Sequence, residues 1–202
     1  DALAEVPFSH LHVHSQFSVL QAVSPVNELV AAAKEMGMPA LAVTDHGNMM
    51  AAFQFVRACS KEGIKPIVGS ELNVCRDMHD KSVKDNGYPT VFLAKNKKGY
   101  HNLAKLASKA YTDGFYYVPR IDRGLVEEYK NDLIVLTGGL FGEVPSLILN
   151  VGETQAEEAL LFWKSLMGDD FYVELNRHGL EEEVVVNETL MSLASKHGVK
   201  LV

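Results

Sequence analysis

The chain has 202 residues, a formal net charge of −7, and a composition that is 47% hydrophobic and 22% charged. This is enough apolar material for one sizeable core, which excludes a disordered chain, and the acid excess argues against a module that grips nucleic acid alone, because phosphate neutralisation supplies most such affinity. No apolar run nears the roughly 20 residues of a membrane helix, "DALAEVPF" has no leader pattern, and Cys59 and Cys75 alone make no disulfide framework, so a reducing cytoplasmic setting without membrane contact is expected.

In chain order, "FSHLHVH" reads as a strand with His12 and His14 on one face and Leu11 and Val13 on the other, because strand side chains alternate. His10 shares their parity and is expected one layer deeper, in a structural role. Ser24-Pro25 opens a helix, serine as N-cap and proline at the first helical position. Its apolar face is Val26, Leu29, Val30, Ala33 and Met36, and Gly37 stops it. "PALAVT" is a second strand, ended by Asp45-His46-Gly47. Met49, Ala52, Phe53, Val56 and Cys59 predict the inner face of the next helix, with Gly63 after it. "KPIVGSELNV" is a third strand, residues 76–87 a polar loop, and "TVFLA" a fourth strand.

Beyond that, Tyr100, Leu103, Ala104, Ala107 and Ala110 form a helix face. "DLIVLTGG" is a strand and "EVPSLILN" a short helix. Thr154-x-x-Glu157 predicts a capping box for the helix containing Trp163, and "DFYVELN" is a strand. The last helix carries Val186, Leu190, Leu193, Ala194 and His197 in line, acids in its first turn, and Lys196 and Gly198 at its end. "VKLV" begins one more strand. Alternating strands and helices predict a parallel sheet, and at least six units favour an α/β barrel over an open sheet. Ending on an apolar strand predicts a barrel cut short.

Chemistry-bearing residues gather at three strand ends. His12 and His14 can share one cation, although a hydrogen-bonded histidine pair is the plainer reading. Asp45 beside His46 suits a carboxylate that orients a metal-bound histidine, or a helix cap. Glu71 suits a ligand, or a solvent-facing glutamate. Together they bring nitrogen and oxygen donors to one barrel rim, where α/β folds place ligand sites. Imidazole with carboxylate suits zinc, manganese or iron. His79, His101, His178 and His197 read as solvated or locally hydrogen-bonded. The sequence has no G-x-S-x-G, P-loop or G-x-G-x-x-G, and Gly138-Gly139 lacks a P-loop's lysine and spacing.

"HLHVHSQFSVL", "MPALAVTDHGNM", "GIKPIVGSELNV", "FLAKNKKGYHNLAKLAS" and "LTGGLFGEVP" together resemble the PHP (polymerase and histidinol phosphatase) domain, in the version at the N-terminus of the bacterial replicative DNA polymerase III alpha subunit. The resemblance runs from about Phe8 to the end of the chain. It implies an α/β fold, a distorted seven-stranded (β/α) barrel truncated before its last strands. Residues 1–202 would be a single PHP domain, the N-terminal part of a much longer polymerase chain.

It also implies a metal cluster at the strand ends, with His12, His14, His46 and Glu71 as ligands and Asp45 behind them. Three family ligand positions fall on residues that cannot serve: Gln21 for an acid, Pro89 for a histidine and Gly139 for a cysteine. The family's final Asp-x-His would lie just past Val202. The implied outcome is a residual site holding at most one weakly bound zinc or manganese ion, no confident catalytic residue, and a mainly structural and docking role. The partners implied are the polymerase thumb and palm and a proofreading exonuclease subunit, with DNA met only through the full holoenzyme. The alternative is an active metal-dependent phosphoesterase, a 3′–5′ exonuclease or pyrophosphatase, that retains four ligands.

Overall fold

The computed structural model describes residues 6–202. Seven strands form the sheet: β1 (Ala40–Val43), β2 (Lys65–Cys75), β3 (Tyr88–Ala94), β4 (Arg120–Asp122), β5 (Leu133–Leu136), β6 (Phe171–Val173) and β7 (Lys200–Leu201). Their order is β1-β2-β3-β5-β6-β7, with β4 attached to the end of β2. Seven helices cover the outside: α1 (Val26–Glu35), α2 (Ala52–Glu62), α3 (Lys97–Thr112), α4 (Arg123–Tyr129), α5 (Glu143–Asn150), α6 (Glu153–Met167) and α7 (Glu181–His197).

The sheet is mixed, which corrects the expectation of a parallel one. β1–β2, β2–β4, β5–β6 and β6–β7 are parallel, but β2–β3 and β3–β5 are antiparallel. The reason lies in residues 76–87, which contain no crossover helix. Parallel neighbours need such a crossover, so the chain turns back antiparallel instead. β2 changes partner midway, from β1 at Lys65–Val68 to β3 from Gly69 onward. Gly69 permits the switch, since a Cβ there would stand 2.5 Å from the Phe92 carbonyl oxygen and 2.9 Å from Thr44 Cγ2.

The alternating strand parity sorts the apolar residues into two layers. Leu72, Phe92, Leu133, Val135, Phe171 and Val173 face the helices in the main core, with Trp163 and the inner stripe of α7. Leu41 and Val43 pack beneath α1 and α2. The concave side is a smaller plug of Ala42, Val91, Leu93 and Leu136, closed by Leu11, Ile67, Ile134 and Tyr172. Two residues beyond Tyr172, Glu174 keeps its parity; so do Glu71 and Asn73 beyond Ile67.

The first predicted strand does not form. Residues 8–14 run beside β1, accepting from the Ala42 amide at the His10 carbonyl (2.9 Å) and from the Thr44 amide at the Val13 carbonyl (2.8 Å). Three residues therefore oppose two, and the chain bends at Leu11–His12. The extra residue breaks the alternation, so Leu11 joins the concave plug while Val13 packs toward α1 and α2. His10 is exposed rather than buried a layer deeper, with its ring edge-on to Phe8.

Several helix details also differ. Pro25 is the N-cap of α1 without a side-chain cap, because Ser24 belongs to the preceding loop and accepts the Gln16 amide there. On α2 the buried stripe is Ala52, Phe55 and Cys59, leaving Phe53 81% exposed and Val56 at the surface. On α3 Leu106 is buried in place of Tyr100. Thr154 does not cap α6, which starts at Glu153 with Gly152 as cap. Glu157 instead reaches α7, pairing with Lys196 at 2.6 Å and with His197. β4 and α4, absent from the sequence reading, follow a buried Arg120 and an Asp122 that caps α4 through the Leu125 amide.

Candidate metal centre

The site lies on the concave side, where the 8–14 segment and the ends of β1 and β6 meet the middle of β2. Three histidines surround one carboxylate. His12 donates from Nε2 to Glu71 Oε2 at 2.7 Å. His46 donates from Nδ1 to Glu71 Oε1 at 2.9 Å. His14 Nε2 stands 3.6 Å from Glu71 Oε1, beyond hydrogen-bond distance. On its other side, His12 donates from Nδ1 to Glu174 Oε1 at 2.8 Å. This contact joins the first segment of the sheet to the end of β6, and it records how far the sheet curls.

Both imidazole nitrogens of His12 thus face carboxylates. Burial alone would lower its pKa, but the hydrogen bonds to Glu174 and Glu71 outweigh burial and raise it to about 10. Burial would likewise raise the Glu71 pKa, yet the histidines, His12 first, hold it well below the usual carboxylate range. His12 is therefore an imidazolium between two carboxylates.

Asp45 does not touch the histidines. Its carboxylate is 1% exposed and accepts the Ser15 amide, the Ser15 hydroxyl and the Ser18 hydroxyl, each at 2.7 Å. The Ser18 oxygen in turn accepts the His46 amide at 3.0 Å. Asp45 thereby pins the turn after His14 against the backbone of His46. Nor does it cap α2, whose N-cap is Ala51.

Gln21, Pro89 and Gly139, where the resemblance implies lost ligands, add no donor. Gln21 is exposed, tied only through its amide to the Ser18 carbonyl. Pro89 opposes Asn73 across the β2–β3 ladder. A Cβ on Gly139 would stand 2.8 Å from Asn176 Nδ2, so the side chain of Asn176 fills the space a longer residue there would use. Asn73 Nδ2 lies 3.5 Å from His46 Nε2 and from the Pro119 carbonyl.

His12, His14 and Glu71 each offer a ligand atom within 4.8 Å of the others, so the residues present fit one cation. Two buried side-chain atoms among the described residues lack a partner, His14 Nε2 and Glu174 Oε2, and the first belongs to this group. Glu174 and Asn73 were missed in the sequence. A signal was available: Glu174 in "FYVEL" and Glu71 in "IVGSEL" are each a lone acid set in an apolar run. Of the remaining histidines, His79 and His101 are exposed, His178 donates to Glu183 at 2.6 Å, and His197 pairs with Glu157.

A curled mixed sheet covered by helices, with His12, His14, His46, Glu71 and Glu174 gathered on its concave side, defines a half-closed α/β barrel with a group of residues that could hold a metal ion. The chain belongs to the PHP domain family, whose model matches residues 10–178. It is 42% identical to the DNA polymerase III subunit alpha of Treponema pallidum, which it matches over 99% of its own length and 18% of that protein's. Identity to the corresponding subunits of Aquifex aeolicus and Thermus aquaticus is 41% and 40%, over 96% and 98% of this chain and 18% and 17% of theirs. The chain therefore spans less than a fifth of these relatives.

Its fold is that of a protein assigned as a metal-dependent phosphoesterase from Bifidobacterium adolescentis (TM-score 0.63, 12% identity, 96% of this chain and 85% of that one). An amidohydrolase from Chromobacterium violaceum, solved with bound sulfate and no metal, matches similarly (TM-score 0.62, 13% identity, 96% and 84%). Among the described residues no helix is long and apolar enough to cross a membrane.

Proposed function

We propose that this chain is the N-terminal PHP domain of a bacterial replicative DNA polymerase III alpha subunit, and that its rim keeps a single weak cation site in a mainly structural and docking role. Relatives of that name at about 40% identity support the setting. In it the domain is cytoplasmic, packs on the thumb and palm of the rest of its chain, offers a surface to a proofreading exonuclease subunit, and meets DNA only within the holoenzyme. Nucleotidyl transfer belongs to residues elsewhere in the polymerase.

The observation that carries the inactive reading is the state of the three substituted positions: an exposed amide at Gln21, a proline ring at Pro89, and no side chain at Gly139, where Asn176 takes the space. When bound, a divalent zinc or manganese ion would supply Lewis-acid polarisation of a phosphoryl oxygen. His12, His14 and Glu71 would hold it, with His46 beside Glu71 and Asp45 fixing the loops that carry His14 and His46. A two-metal site would set a second ion roughly 3.5–4 Å from the first, and Gln21, Pro89 and Gly139 offer no ligand atom toward it.

The test is hydrolysis of a 3′-terminal nucleotide and of a generic phosphoester with manganese or zinc, in a chain that continues past Val202, against a His12→Ala control. Turnover at the control's level is expected. Metal-dependent turnover abolished by His12→Ala would establish the other reading, an active 3′–5′ exonuclease or pyrophosphatase, which retention of His12, His14, His46 and Glu71 favours.

A further inference from the structure

We propose that Glu174 is the positioning residue of His12: it holds the Nδ1–H so that Nε2 is the atom presented to a cation shared with His14 and Glu71. The proposal rests on the residual-ion reading above and adds to it a residue outside the ligand set.

Three observations carry it. His12 Nδ1 donates to Glu174 Oε1 at 2.8 Å, and the opposite ring nitrogen points at Glu71. This is the arrangement in which a carboxylate fixes the tautomer and ring angle of a metal-binding histidine. Glu174 is itself 7% exposed, and its amide is anchored to Thr137 Oγ1 at 2.9 Å, so the carboxylate is rigidly aimed. Its second oxygen, Oε2, is buried without a partner. A buried carboxylate left half unsatisfied is costly, and the one oxygen that is satisfied, Oε1, is the one on His12. Glu174 falls outside the group of converging ligand atoms, which assigns it to the far side of the ring rather than to the ion.

A cavity of about 10 Å³ beside Glu174 is lined by Gly139, Asn176 and Leu190, room for one water at most. Orientation of His12 is the use this geometry leaves for Glu174.

The experiment is manganese and zinc titration of the protein by calorimetry, with ¹⁵N NMR of its histidines in the zinc-bound form. In the parent, His12 is expected to show a metal-bound Nε2 and a protonated Nδ1. Glu174→Ala should weaken the ion about 10–100-fold, the range for loss of such a supporting group, and should abolish the single Nδ1–H signature of His12. Glu174→Gln keeps an acceptor oxygen and should restore that signature, with affinity within a few-fold of the parent. Circular dichroism of each variant reports its folding; if Glu174→Ala does not fold, Glu174→Gln and Glu174→Asp carry the comparison, Asp being expected to lose the signature because its carboxylate is one methylene short. Unchanged affinity and an unchanged His12 signature in Glu174→Ala, or in Glu174→Asp where Ala does not fold, overturn the positioning role alone. A parent that binds neither ion at millimolar concentration overturns the residual-ion reading together with this one.

Discussion

Arg120 offers a direct measure of how a buried charge organises the loops around the rim. Its side chain is fully buried, yet its donors meet no carboxylate. Nε donates to the Gly114 carbonyl at 3.0 Å, Nη1 to that of Asp85 at 2.9 Å, and Nη2 to those of Met78 and Asp80 at 3.0 and 3.3 Å. One guanidinium thus gathers the 76–87 loop and the turn before β4. Replacing a buried ion pair with apolar groups is often neutral, because both polar partners then disappear. Here the acceptors belong to the backbone and stay. In Arg120→Met, the exposed Asp80 segment can rehydrate, whereas the Gly114 and Met78 carbonyls are buried. Two orphaned acceptors at ~1–3 kcal/mol each, with the lost charged hydrogen bonds, give an expected loss of about 3–5 kcal/mol. Urea unfolding should show that loss as a lower midpoint, with hydrogen exchange accelerated at 76–87 first. Arg120→Lys should recover only a minor part, since one ammonium cannot span the fork. A loss under about 1 kcal/mol with unchanged loop exchange would refute the reasoning.

Two further outcomes follow from the site's own geometry. In chelator-treated protein, His12 has its folded pKa raised to about 10, so its contribution to stability is complete below about pH 6.5 and is lost as pH rises toward 10; Glu71, with its pKa lowered, contributes above about pH 4.5 and loses that only in strong acid. Denaturation midpoints should therefore fall between pH 6.5 and 10, and His12→Gln should flatten that slope; a parent slope unaltered by the substitution would contradict the ion pairing. Gly69→Ala would drive a Cβ to 2.5 Å from the Phe92 carbonyl and 2.7 Å from Leu93 Cδ2, destabilising the chain by about 1–3 kcal/mol in thermal or urea unfolding, and a neutral result would mean that β2 and β3 can separate at their switch point.

How much of this was legible in the sequence depends on which force set each feature. α7 was readable because local signals agreed: acids at Glu181–Glu183, an inner stripe, Lys196 and His197 in the last turn, and Gly198 in the left-handed region. α2 was misread because Phe53 and Val56 fit a helical stripe as well as Phe55 does, and only the position of β1 decides which is buried. The antiparallel β3 was readable in principle from the helix-free 76–87 segment. The bend at Leu11–His12 was not, because it arises from a mismatch of three residues against two with β1. The structure brings His12, His14, His46 and Glu71 together, whereas the link from His12 to Glu174 spans 162 positions and only the curl of the sheet creates it.

Charge balance sets what this rim can hold. Glu71 and Glu174 bring two negative charges into a largely shielded space, and the proton on His12 offsets one of them. A single divalent ion with neutral imidazoles would offset both. Proton and ion therefore compete for the same place, with the ion gaining as pH rises, because ligand nitrogens must be deprotonated to bind. The protonated state has a task of its own: His12 ties the 8–14 segment to β2 through Glu71 and to β6 through Glu174, bracing the curl of the sheet from its first segment to its sixth strand. These three groups thus help close the half-barrel whether or not a phosphoester is ever cleaved there.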